Sequence, residues 1–424
     1  MNQLKNKRLL ILGGISLSKE IVSCAKEMGI TVYVTDYLKN SPAKLAADKS
    51  FMVSATDVEA VSALIKQENI DGIITGFVDI LLPYYYNICL NNGLFYYATK
   101  EQFDKLSDKV CFKRLCKEFG IPVVEEYQIN SVNDVNAIEK LPYPVLLKPA
   151  DNSGGRGITI CYDSQEFINK YNKTLSYSSS KQVIIEKYMR SEEVSIFYML
   201  QDGEIKLTAM GDRHIQYFKD DAIPLPVAYT FPSLYLNEYE QSLNAKVIEM
   251  FKSIGMKNGM VFIQSFVEDG KCIFYEMGYR LTGSLEYKII KHASGFNPME
   301  MMIEQAVSGT SKMSINQLAN PHFEKKYCNI TFLAKPGVIA HIEGVNEIKE
   351  MDNVIDIFLS YNEGDEIAEH SVATLGQVVA RVFAFANSSE QLMGIMDDVH
   401  KKLKIVSTQG ENMLLPTFNT SIIK

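Results

Sequence analysis

A chain of 424 residues, 46% hydrophobic and 22% charged, is long enough to bury two or three cores. Its net charge of −8, with no blocks of Lys or Arg, disfavours nucleic acid as a partner, and no apolar run reaches membrane-spanning length. The seven cysteines are scattered, odd in number and without paired metal spacing, so a reducing, cytoplasmic setting is expected. The amino-terminal apolar run is too short for a signal peptide and lacks a small-residue cleavage region.

The first 98 residues alternate between strand and helix patterns. RLLILGG reads as a buried strand and glycine turn, Ser18 to Met28 as a helix and ITVYVTD as a second strand. A helix from Val58 to Gln67 and a further strand in IDGIITG follow, an order that predicts a doubly wound parallel sheet. Gly13-Gly14 followed by Asp36 invites a dinucleotide site, but GGISLS lacks the GxGxxG spacing. The tyrosines at 84–86 and 96–97 read as packing.

SDKVCFKRLCKEFGIP places Asp108-Lys109 before a helix that stops at Gly120 with Pro122 just beyond. Val145 to Ile160, VLLKPADNSGGRGITI, is a strand carrying Lys148, a loop with three glycines and a second strand; amides curling toward one point would form an anion nest. The lysine precedes the glycines and no Gly-Lys-Ser/Thr closes them, so this is not a P-loop. VIIEKYMRSEEVSIFYML, Val183 to Leu200, reads as strand, polar connection and strand. MGDRHIQYF then brings Asp212, Arg213 and His214 to a strand end, where substrate contact and a packed histidine are both open readings, and Pro224 to Pro232 reads as a proline-rich loop. Met260 to Ser284 alternates apolar and polar residues about Glu268-Asp269-Gly270, a β-hairpin signal. Gly295-Phe296-Asn297-Pro298 stops one helix and starts another. From Tyr327 strands dominate, until a capped helix at Ser389 to Leu403.

In this order the motifs resemble the ATP-grasp superfamily, in its biotin-carboxylase-like, L-amino-acid-ligase-like and carbamoyl-phosphate-synthase-like members. The resemblance implies an amino-terminal doubly wound parallel sheet (residues 1–98), a central ATP-grasp fold (99–325) with a mobile lid at about 122–184, and a small carboxy-terminal α+β domain (326–424). Lys109 and Lys148 match the two lysines that touch nucleotide phosphates. Ser153, Gly154, Gly155, Arg156 and Gly157 match the glycine-rich loop over them. Glu186, Lys187, Tyr188 and Met189 fall on the hinge that holds adenine through backbone groups, and Glu193 matches the acceptor of the ribose hydroxyls. Gln264 and Glu276 occupy the magnesium-ligand positions, and Arg280 matches the arginine facing the transferred phosphoryl group. Two positions depart from the pattern. Gln264 replaces a usual Glu, and Gly278 replaces a usual Asn, which puts a second metal in doubt while Glu276 alone could hold one Mg²⁺.

What the resemblance implies is an enzyme, a carboxylate-amine (or carboxylate-thiol) ligase using ATP and Mg²⁺, with Mn²⁺ as a substitute. It would act through an acyl-phosphate and release ADP and phosphate, with Lys148, Glu276 and Arg280 as catalytic groups. The partners implied are small-molecule carboxylate and amine substrates, with no nucleic acid or membrane, and a homodimer is admitted. Two alternatives stay open: a carboxylase-type enzyme using bicarbonate through carboxyphosphate, and a nucleotide-binding subunit that no longer catalyses. The turns around Gly13 and at Thr75, Gly76 and Asp79 are expected to help hold the non-nucleotide substrate.

Overall fold

A computed structural model describes residues 4–129, 131–150, 157–218 and 224–423. Apolar runs near the amino terminus form four parallel strands, β1 (Arg8–Leu12), β2 (Thr31–Thr35), β3 (Lys49–Phe51) and β4 (Gly72–Ile74), in the order β3-β2-β1-β4. Helices Ser18–Glu27 and Val58–Glu68 connect them, the second capped by Asp57, whose side chain accepts from the Ala60 amide. The carboxylate that invited a dinucleotide reading is used within the turn: Asp36 accepts from the amides of Gly14 at 2.7 Å and Leu38 at 2.8 Å.

A second sheet is small and antiparallel: β5 (Glu126–Tyr127), β6 (Val145–Pro149), β7 (Thr159–Cys161) and β8 (Val183–Lys187), in the order β5-β8-β6-β7. Its own apolar core gathers Ile138, Val145, Leu147, Cys161, Phe167 and Ile185. The strand-loop-strand reading around Lys148 therefore stands as β6 and β7, with the loop residues 151–156 outside the described residues.

The largest sheet has eight strands. β9 (Glu192–Gln201), β10 (Glu204–Gln216), β11 (Leu225–Phe231), β12 (Gly259–Glu268) and β13 (Lys271–Gly278) are joined by β14 (Lys326–Leu333), and after β15 (Gly337–Glu343) by β16 (Val354–Leu359) and, after β17 (Glu366–Ile367), by β18 (Val378–Ala386). The order is β13-β12-β9-β10-β11-β14-β18-β16, so strands from the carboxy-terminal hundred residues extend the central sheet. β15 instead pairs with β17 and with β19 (Lys404–Ser407). A core of its own, including Ile330, Val382, Met396 and Ile405, underlies this part.

One sequence expectation is corrected here. Pro224 to Pro232 is no loop: Leu225–Phe231 is the fully buried strand β11 between β10 and β14. Pro226 lies outside the β11–β14 ladder, which runs from Ala228 to Phe231, and beside the register shift at His214/Ile215 in the β10–β11 ladder, a bulge position that tolerates proline.

Candidate active site

The site is built on one face of the eight-stranded sheet, where a strand's period of two brings alternate residues to the same side. Gln264 lies opposite Glu276 across the β12–β13 hairpin and opposite Ser195 on β9. The β12–β13 register shifts after Gln264, so Tyr275 is the extra residue of a bulge and reaches the same side as Glu276. Cross-strand pairing continues the face through Glu193 on β9, Arg213 on β10, Tyr229 on β11 and Asn329 on β14. The predicted magnesium positions and the predicted ribose acceptor thus share a surface.

Their surroundings differ. Glu276 is half-buried and has no hydrogen-bond or ion-pair partner among the described residues. Glu193 is buried, pairs with the Arg213 guanidinium and accepts from the Tyr275 hydroxyl at 2.8 Å. Burial above all, with Glu193 adding to it, pushes the Tyr275 phenol well above its ordinary pKa, so it stays a donor. Arg213, left open between substrate contact and structure by the sequence, is an anchor for Glu193.

Lys148 projects from β6 and is buried, its Nζ 2.5 Å from Glu186 Oε1 on neighbouring β8. Glu186 also pairs with Lys113, which the sequence did not single out. Burial lowers the Lys148 pKa and the nearby positive charges of Lys113 and Lys109 lower it further, against the pull of Glu186. For Glu186, burial would raise the pKa, but Lys148 and Lys113 together outweigh it and hold the carboxyl below its ordinary value. Lys109 opens the Lys109–Glu118 helix behind its cap, Asp108, whose side chain accepts from the Cys111 amide.

The hinge positions separate by what their backbones do. Glu186 and Lys187 end β8, and the Lys187 amide donates to the Glu125 carbonyl at 3.0 Å. The Tyr188 amide donates to Pro144 at 3.4 Å, whereas the Met189 amide has no acceptor among the described residues. Met189 therefore carries the hinge donor that an adenine ring nitrogen could take. The Lys187 side chain is spent on Glu268 at 2.9 Å. Ser153, Gly154, Gly155 and Arg156 lie outside the described residues. Gly157, at φ +79°, abuts Tyr177 so closely that a Cβ would stand 2.6 Å from that side chain, which requires glycine there.

Arg280 is oriented from the amino-terminal unit. Its Nε and Nη2 donate to Asp79 Oδ1 and Oδ2, both at 2.6 Å, and its guanidinium lies 5.1 Å from the centre of the Phe262 ring. A planar bidentate pair of this kind fixes direction as well as charge. His214 takes the bland reading: Nε2 shares a hydrogen bond with Thr230 at 2.8 Å, the ring packs on Phe418, and burial pushes its pKa down to about 4.

Among the described residues, no group of three His, Cys, Asp or Glu side chains is placed to hold a metal. One unpaired carboxylate facing a carboxamide fits a hard cation that arrives with a triphosphate and keeps phosphate and water oxygens in its shell, rather than a preformed cage.

A model of the family described as carbamoyl-phosphate synthase L chain, ATP binding domain, matches residues 108–312. The formate-dependent phosphoribosylglycinamide formyltransferase of Sulfurisphaera tokodaii is 28% identical over 197 residues, 43% of this chain and 47% of the relative, so the chain spans about half the length of that protein. Among solved structures, the biotin carboxylase domain dimer of Hydrogenobacter thermophilus 2-oxoglutarate carboxylase, in complex with MgADP, ADP and bicarbonate, superposes with a TM-score of 0.77 at 18% identity, over 94% of this chain and 90% of that one. The L-amino acid ligase from Bacillus licheniformis gives a TM-score of 0.73 at 18% identity, over 95% and 99% of the two chains. At these identities the structures establish a shared fold.

Proposed function

We propose, for a chain that belongs to the ATP-grasp superfamily, that it is an ATP-dependent carboxylate-amine ligase working through an acyl-phosphate. The observation that carries the reading is the shared sheet face, with an unpaired Glu276 opposite Gln264 and an anchored Glu193 two strand positions away; Arg280 follows just beyond the end of β13, held by Asp79. Around it we assign an amino-terminal unit at 1–98, an ATP-grasp unit at 99–325 with a lid at about 122–184, and a carboxy-terminal unit at 326–424.

In this reading the Met189 amide and Glu193 fix the nucleoside, and Lys148, Lys109 and the glycine-rich loop hold the phosphates. Mg²⁺, held by Glu276 with Gln264, would neutralise phosphate charge and align the γ-phosphoryl group. A carboxylate oxygen of the substrate attacks the γ-phosphorus and ADP leaves. The amine then attacks the acyl carbon and phosphate departs with the former carboxylate oxygen. The protein needs no nucleophile of its own, because its contribution is position and charge. Arg280, held by Asp79, stabilises the phosphoryl oxygens in flight.

A second reading, a nucleotide-binding subunit without turnover, draws support from Gln264 and Gly278. Phosphate release from MgATP, assayed across a matrix of amino acids, other carboxylates, amines and bicarbonate, singly and in pairs, separates the readings. The ligase reading predicts release that requires one carboxylate together with one amine, abolished by Lys148→Ala and by Glu276→Ala. Release with bicarbonate alone, or equal turnover in both variants, overturns it.

A further inference from the structure

Lys113 is buried, 1% exposed, and has no place in the nucleotide reading above. It stands on the Lys109–Glu118 helix, yet its partners all lie where the chain enters the β5–β8 sheet or within that sheet: the Val124 carbonyl at 3.2 Å, Glu126 Oε1 at 3.0 Å, and Glu186. Glu186 in turn holds Lys148 at 2.5 Å. The result is an alternating, largely buried chain, Glu126–Lys113–Glu186–Lys148, with the exposed Lys117 at its outer end, 4.0 Å from Glu126. If Glu186 had Lys148 as its one cationic partner, the buried attraction between them would be undivided, and little of the ammonium charge would be left for an incoming anion.

We propose that Lys113 is a positioning residue for nucleotide binding, which shares Glu186 with Lys148 and so leaves Lys148 free to turn its charge onto the phosphates. The inference rests on the nucleotide reading, and it extends that reading to a side chain that touches no nucleotide.

Removing Lys113 has two effects of opposite sign. Glu186 captures Lys148, so affinity for MgATP falls. At the same time Lys148 loses a positive neighbour that depresses its pKa, alongside Lys109 and against Glu186, so its ammonium persists to higher pH. Loss of packing alone would lower affinity without moving the alkaline limit upward. Calorimetric titration of the full chain with MgATP between pH 7 and 11 reads both effects. For Lys113→Met the dissociation constant is expected to rise about tenfold at pH 7, with the alkaline limit of binding displaced upward. The double variant Lys113→Met/Glu186→Gln removes the charge that captures Lys148, while Glu126 keeps Lys117 at 4.0 Å, and is expected to return to within about threefold of the parent. The proposal is overturned if Lys148→Ala weakens binding while Lys113→Met does not, if the alkaline limit stays put or falls, or if the double variant binds no better than the single. Unchanged binding by Lys148→Ala would overturn the nucleotide reading and this proposal with it.

Discussion

A Cβ built at position 278 would stand 2.2 Å from the Phe262 ring, which lies directly across the hairpin and also supports Arg280. Glycine is therefore imposed by a neighbour, and position 278 is closed to a larger side chain while Phe262 stays in place. Gly278→Asn is expected to lower unfolding stability by about 1–3 kcal/mol through overpacking, and to cost less when made in a Phe262→Ala background; chemical denaturation checks both, and a fully stable single variant would contradict the argument. His214 supports a pH prediction. Its pKa lies at about 4 in the fold against an ordinary 6.5, so the stability owed to its neutral form is complete above 6.5 and is lost as pH falls through 4. The drop from 6.5 to about 4 is worth about 3 kcal/mol. Between pH 7 and 4 the parent should lose this increment in urea denaturation and His214→Gln should not; parallel curves would refute the assignment.

Among elements, strands and hairpins were legible where alternation was clean. β12 and β13 stand where Met260 to Ser284 predicted them, and the strand ending in Lys148 was read from its apolar run. β11 was missed because Pro224, Pro226 and Pro232 outweighed a short apolar run, and only tertiary pairing with β10 and β14 reveals that the ladder tolerates Pro226. The bulge that turns Tyr275 beside Glu276 left no sequence signal either. The link between the Asp79 turn and the end of β13 carries a functional prediction. With Asp79 gone, Arg280 keeps its charge but loses the bidentate partner that aims it, so Asp79→Ala should reduce kcat about tenfold with the KM for ATP nearly unchanged. A change confined to the KM for ATP would place Asp79 elsewhere in the cycle.

At the scale of the molecule, the amino-terminal strands and the central sheet share one apolar core, and polar pairs between residues far apart in sequence add to it. Lys288 reaches Glu20 at 2.5 Å and Asp356 at 2.6 Å, Ser16 donates to the Ser360 carbonyl at 2.9 Å, and Arg280 meets Asp79 across 201 positions. Such pairs have no local pattern, which is why Asp79 appeared in the sequence as a turn residue and Lys113 did not appear at all. Lys148, Glu193, Gln264 and Glu276 were named through the resemblance to the ATP-grasp superfamily, while the strands that carry them were legible from their own apolar runs and alternation. Once the matrix of candidate substrates has named an active pair, the decisive measurement is the fate of the carboxylate oxygens. With the substrate carboxylate labelled by ¹⁸O, an acyl-phosphate route delivers one ¹⁸O into each phosphate released, read by mass spectrometry or phosphorus NMR. Phosphate free of label would mean that the carboxylate is never phosphorylated, and the proposed reaction would be wrong.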